Sequence, residues 1–125
     1  MAQAAFANLQ VWEKSVDLVA LVYKVTKAFP KEETYTLTSQ IRRAAICIPS
    51  NISEGRAKRS TKDFMRFVNM ACGSAAELET HVVIAERLQY ITNQQKGDLL
   101  NEIGSIARMR NRLHASLEAK SANNP

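Results

Sequence analysis

The sequence is short of the residues that build turns, cross-links and metal cages, with four Gly, three Pro, two Cys and two His in 125 positions. So few Gly and Pro exclude a β-sandwich or barrel, which needs turn residues every ~8–12 positions. The two cysteines, Cys47 and Cys72, are no disulfide framework. Each falls in an apolar helical segment, where a free thiol packs as a small hydrophobe. The two histidines, His81 and His114, lie on different helical segments. There is no His-Glu-x-x-His, no Cys-x-x-Cys and no glycine-rich phosphate loop. Glu77 and His81 are an i, i+4 pair, but a di-metal bundle needs Glu-x-x-His on two helices plus further carboxylates. The pair is read as a surface interaction. No enzyme, no metal, no cofactor and no small-molecule substrate is expected. Nor does any apolar run approach the ~20 residues of a membrane span. The first residues have neither a basic n-region nor an apolar h-region. The expectation is a cytoplasmic chain with no membrane partner.

What is present is helical. Apolar residues make up 46 % and charged residues 23 %, ordinary values for one soluble domain of this length. Apolar spacing predicts four helices, over about 10–28, 34–55, 61–89 and 93–118. A tail at 119–125, without apolar anchors, is expected to fray. These elements make an all-α chain, an antiparallel four-helix bundle in a single domain spanning 1–125.

The first helix carries Trp12, Val16, Val19, Tyr23 and Thr26 on one stripe, and Leu18, Leu21, Val22 and Val25 on a second. A helix apolar over so much of its surface must be buried on two sides, and in a small bundle another subunit is the natural second partner. Phe29-Pro30 ends it. The second helix has the stripe Leu37, Ile41, Ala44, Ala45, Ile48 and Ile52, interrupted by Pro49, where a kink is expected. Gly55 is the expected left-handed cap. Ser60 caps the third helix, with Asp63 three residues on. That helix passes through a run of small residues, Ala71 to Ala76, whose Gly73 costs roughly 1 kcal/mol of helix stability. Close approach of another helix would compensate. Asn93 or Thr92 caps the fourth. Trp12, Tyr23, Phe64 and Phe67 fall on apolar stripes and are read as core. Tyr35 and Tyr90 lie at helix ends, where they either cover the bundle or stack on a base, and covering is favoured.

The charge is the most directional feature. The net +5 of the chain lies wholly between Arg42 and Arg66, where Arg42, Arg43, Arg56, Lys58, Arg59, Lys62 and Arg66 face only Glu54 and Asp63. Elsewhere ten basic and ten acidic residues balance. Such concentration is a candidate footprint for a polyanion. Arg56, Lys58 and Arg59 follow the second helix, and Lys62 and Arg66 share a face of the third. Arg108 and Arg112 form a further i, i+4 pair on the fourth. Guanidinium forks suit phosphate oxygens. The plainer alternative is a solvated face, or Arg42 and Arg43 paired with carboxylates of a neighbour.

Several strings in order carry a resemblance. Leu9-Gln-Val-Trp12-Glu-Lys14, Phe29-Pro30-Lys-Glu-Glu33, Leu37-Thr-Ser-Gln40-Ile-Arg42-Arg43-Ala44, Ile48-Pro49-Ser-Asn51-Ile-Ser-Glu54-Gly55 and Gly73-Ser74-Ala-Ala-Glu77-Leu78 resemble the bacterial 23S rRNA intervening-sequence protein family. The resemblance covers roughly Phe6 to Ile91. It implies an up-down-up-down bundle assembling into a homopentameric ring, with no established enzymatic activity. That family is in turn similar to the accessory variability protein of diversity-generating retroelements, a basic bundle that binds nucleic acid and a reverse transcriptase. No catalytic residue carries over. Arg42, Arg43, Asn51, Glu54 and Gly55 match the family and read first as architectural, with Glu54 pairing an arginine and Asn51 satisfying backbone freed by Pro49. The expectation is therefore a non-enzymatic, RNA-favouring nucleic-acid binder. The alternative is a scaffold that docks a ribosomal or reverse-transcriptase protein without touching nucleic acid.

Overall fold

The computed structural model describes the backbone of residues 2–123 and the side chains of residues 8–122. Four α-helices, α1 (Ala2–Thr26), α2 (Leu37–Arg56), α3 (Thr61–Arg87) and α4 (Asn93–Asn123), account for nearly all of it, with one 3-10 turn at Lys31–Glu33. Among the described residues there is no strand. α1 packs on α2 and α4, α3 packs on α2 and α4, and the diagonal pairs face each other across the core. Connections of ten, four and five residues, too short to cross the length of a helix, turn each helix antiparallel to the one before it. The order is up-down-up-down around one core.

That core is the sum of four apolar stripes. Leu18 and Val22 of α1, Ile41, Ile48 and Ile52 of α2, Val68, Leu78 and Val82 of α3, and Leu99, Ile103 and Leu113 of α4 are all buried. Each contributes about 1.5–3 kcal/mol on leaving water. Small residues set the spacing between α2 and α3, where Ala44, Ala45, Ala71 and Ala75 are buried. α2 runs unbroken through the buried Pro49.

Several elements differ from the sequence reading. α1 starts at Ala2 rather than near 10, because Ala2, Ala4, Ala5 and Ala7 are strong helix formers. It stops at Thr26, whose hydroxyl donates back to the Val22 carbonyl at 2.8 Å. The tail expected to fray is helical as far as Asn123. Leu117 is buried and anchors the preceding turn, and Ala119 and Ala122 favour the helix; residues 124–125 lie outside the described residues. Gly55 is not a left-handed cap, since no glycine has positive φ among the described residues. It sits inside α2, and the helix ends one residue later through Ala57 in ordinary helical geometry. Asn51 does not serve the carbonyl that Pro49 leaves without a donor, which is that of Ala45. Its Nδ2 donates to the Cys47 carbonyl at 2.8 Å instead, the acceptor that an i−4 side chain reaches. Gly73 meets no approaching helix, for a Cβ there would find nothing within 4 Å.

The helix caps follow local chemistry. The Ser60 hydroxyl accepts from the Asp63 N–H at 3.2 Å. Of the two candidates for α4, Thr92 is the cap, in a reciprocal box. Its Oγ1 accepts from the Gln95 N–H at 3.0 Å, and its own N–H donates to Gln95 Oε1 at 2.8 Å. α3 ends with Gln89 at φ 63°. The Tyr90 N–H reaches the Ala85 carbonyl and the Gln89 N–H the Glu86 carbonyl, both at 2.9 Å, which is the Schellman arrangement. A left-handed non-glycine residue costs roughly 1–2 kcal/mol. Glycine would remove that strain but would lose more freedom on folding. Gln89→Gly is therefore expected to stabilise the chain by about 0.5–1 kcal/mol, raising the urea midpoint at unchanged slope.

Tyr90 closes one end of the bundle as expected. Its ring packs on Phe29 with centroids 5.4 Å apart, and its hydroxyl donates to Glu33 Oε2 at 2.8 Å. Glu33 also accepts from the Thr36 hydroxyl and, at 3.4 Å, from the Leu37 N–H. The Thr36 hydroxyl, then that of Tyr90, hold the Glu33 carboxyl below its ordinary range. The same carboxylate raises the Tyr90 phenol. Tyr35, by contrast, covers nothing: it is 92 % exposed, because the turn before α2 carries it away from the core.

Candidate nucleic-acid interface

The basic residues sort into three places. Arg56, Lys58, Arg59, Lys62 and Arg66 gather around the turn between α2 and α3, and all five are exposed. The turn can be this tight because α2 and α3 touch at its base. A Cβ on Gly55 would lie 2.8 Å from the Phe67 Cβ and 2.9 Å from Phe64 Cδ1. Only glycine lets the backbones approach so closely.

Phe67 then organises the charges above it. The ring is 7 % exposed. Lys58 Nζ lies 5.1 Å from its centroid and the Arg66 guanidinium 4.8 Å. Both are within cation–π reach, an attraction of about 0.5–1 kcal/mol at exposed sites. One aromatic side chain from the core thus draws two cations from different elements toward one spot. The sequence reading assigned Phe67 to the core and missed this second role. The signal was present, as a phenylalanine one residue after an arginine, but its pairing with Lys58 exists only once the turn folds.

Neutralisation in the cluster is slight. Arg66 meets Asp63 at 3.8 Å, with both side chains more than half exposed. A pair that long and that wet contributes little. Glu54 is exposed and forms no ion pair among the described residues, so its expected arginine partner is absent. It lies on the side of α2 that faces water. Five cations with one weak counter-ion leave a positive margin available to phosphate oxygens.

Arg42 and Arg43 stand apart. They precede Arg56 and Arg59 by four turns of α2, with Arg42 roughly 21 Å from Arg56 along the axis. Arg42 is half-buried against α1. Its Nε donates to Thr26 Oγ1 at 2.8 Å, and its guanidinium lies 4.4 Å from the Tyr23 ring centroid. Arg43 is exposed. Neither meets a carboxylate among the described residues. Arg108 and Arg112 are exposed on α4, the helix diagonal to α2 across the core. The structure therefore does not gather all nine cations into one surface.

No group of three or more His, Cys, Asp or Glu side chains able to hold a metal ion occurs among the described residues. Glu77 and His81 form no hydrogen bond with each other; His81 Nδ1 is shielded and without a partner. No helix among the described residues is long and apolar enough to cross a membrane.

Comparison with known proteins agrees with the architecture. Residues 7–112 match a family described as 23S rRNA-intervening sequence protein. A solved structure from Bacteroides thetaiotaomicron superposes with a TM-score of 0.80 at 24 % identity, covering 87 % of this chain and 98 % of that one. That protein is described as of unknown function, from the S23 ribosomal protein family. At that identity the likeness speaks for the fold. Among curated proteins none matches the chain.

Proposed function

The chain belongs to the 23S rRNA-intervening sequence protein family, and from that premise we propose that it is a non-enzymatic, cytoplasmic RNA-binding bundle that grips phosphate backbone. The observation that carries this reading is the margin around the α2–α3 turn: five exposed cations, two of them seated on Phe67, with Asp63 the one acid that pairs with any of them among the described residues. Binding of this kind is driven by release of counterions, so it is strong at low salt and weakly specific in sequence. Arg108 and Arg112 would add contacts only for a ligand that wraps onto α4. A filter-binding titration against structured RNA, repeated across a salt series, tests the proposal. Affinity should fall linearly in log–log form as salt rises. Absence of binding at low salt, or affinity indifferent to salt, removes it.

A second reading rests on what the bundle leaves uncovered. Leu9 and Val16 on α1, and Met70, Val83 and Ile84 on α3, are large apolar side chains facing water, and Gly73 opens space on the same helix. Leu9 and Val16 are seven residues apart, so they share one face of α1. These faces suit contact with further copies of the chain or with a ribosomal or reverse-transcriptase protein. In a ring of five, each chain contributing +5, the assembly would carry +25, which multiplies the phosphate contacts available. Sedimentation measures this directly. The expected mass is a multiple of 14.0 kDa that falls to a single chain in Val16→Glu. A wild-type monomer at high micromolar concentration defeats the self-assembly.

A further inference from the structure

Arg42 is a half-buried cation with no acidic partner, and it is held in place as though for use. Its Nε–H is committed to Thr26 and one face of its guanidinium to Tyr23. The four terminal N–H groups remain free for a ligand, in the fork that matches phosphate oxygens. Beside it lies a groove of about 420 Å³ lined by Tyr23, Tyr35, Thr38, Ser39, Arg42 and Arg43 among others, with no carboxylate in its wall. That volume falls within the range of small-ligand sites, roughly 300–1,000 Å³.

Three further features point the same way. Thr38 is 8 % exposed, and its Oγ1 has no hydrogen-bond partner among the described residues. The groove sits at the first turn of α2, a twenty-residue helix. There Glu33 takes the Leu37 N–H, while the N–H groups of Thr38 and Ser39 have no acceptor among the described residues. Orphan N–H groups at a helix start favour an anion. Finally, Tyr35 offers an almost wholly exposed ring at the rim, a surface on which a base can stack.

We propose that this groove binds a nucleoside monophosphate, either free or at the phosphorylated end of a strand. Arg42, Arg43 and the first-turn amides take the phosphate, and Tyr35 takes the base. The site is separate from the α2–α3 turn and does not depend on it. Inorganic phosphate alone would leave the aromatic rim unused, and an unphosphorylated nucleoside would leave the arginines unanswered.

The test is calorimetric titration of the intact chain with adenosine 5′-monophosphate, adenosine and inorganic phosphate at low salt. The nucleotide should saturate at one per chain, at least about tenfold tighter than either fragment. Tyr35→Ala should weaken it about tenfold, the scale of one base–aromatic stack, without altering the melting curve. Arg43→Ala should weaken it comparably. Arg42→Lys, which keeps the charge and loses the fork, should weaken it too. Arg59→Glu with Arg66→Glu should change it less than twofold, so that failure at the turn and failure here are read separately. A short oligonucleotide with a terminal phosphate, compared with the same strand lacking it, separates the two sources. A preference for the phosphorylated strand assigns the site to strand ends, and equal binding of both strands assigns it to the free nucleotide. Nucleotide affinity no better than that of adenosine or phosphate overturns the proposal. So does nucleotide affinity untouched by Tyr35→Ala and Arg42→Lys.

Discussion

Replacing Arg56, Arg59 and Arg66 together by glutamate is expected to weaken RNA binding roughly 30- to 100-fold at low salt. Exposed ion pairs contribute about 0.2–1 kcal/mol each, and reversal adds repulsion to the loss of attraction. The more telling readout is the salt dependence. Each lost phosphate contact lowers the log–log slope by about 0.7–0.9, so three should lower it by about 2–3. Lys14, Lys24 and Lys27, three exposed lysines outside the basic cluster, are the charge-matched control. Reversing the same number of positive charges there should leave the slope less affected. Folding is not expected to suffer, because all three side chains at the turn are exposed and only Arg66 leans on the Phe67 ring. A melt of the triple variant checks this. A variant that stays folded and binds RNA as the parent does would place the interface elsewhere on the molecule.

The bundle was legible because its core repeats locally. Ile41, Ile48 and Ile52, or Leu99, Ile103 and Ile106, recur at helical spacing and are buried. Ser60 and Thr92 announce helix starts through a hydroxyl three residues before an N–H. The two-sided apolarity of α1 was legible too. Leu18 and Val22 turn inward while Val16 and Tyr23 remain exposed, as a helix with two apolar faces and one set of neighbours must leave them. What could not be read were the contacts that join distant positions. Arg42 reaches Thr26 across sixteen residues, and Tyr90 reaches Glu33 across fifty-seven. Nothing in the local pattern of either helix specifies such a partner. The charge cluster itself was visible in composition, but not its division. Residues 42 and 56 are close in sequence and lie far apart along a rigid rod.

Gly55 is the sharpest case of that limit, and its substitution should have the largest effect on stability. At the end of an apolar stripe, a glycine reads as a left-handed cap. If it were one, Gly55→Asn would be nearly neutral, because asparagine tolerates that conformation, and Gly55→Ala would cost about 1 kcal/mol. The helical geometry predicts another order. Alanine gains about 1 kcal/mol of helix propensity over glycine, but its Cβ would sit 2.8 Å from the Cβ of Phe67, which is fixed to the α3 backbone, and 3.3 Å from the Phe64 carbonyl. The helices must part to admit it. Overpacking of this kind costs roughly 1–3 kcal/mol, so the net loss for alanine is about 0–2 kcal/mol. Larger side chains lose more, and Gly55→Leu and Gly55→Asn should each cost about 3 kcal/mol or more, a fall in melting temperature of about 10 °C. The damage extends to function. Displacing α3 moves Phe67, and with it the ring on which Lys58 and Arg66 rest. Gly55→Ala should therefore weaken RNA binding at temperatures where the chain is still folded, although it removes no charge. Denaturant melts of the alanine, asparagine and leucine variants, run beside RNA titrations, separate the two accounts. Asparagine tolerated and alanine alone harmful would restore the cap.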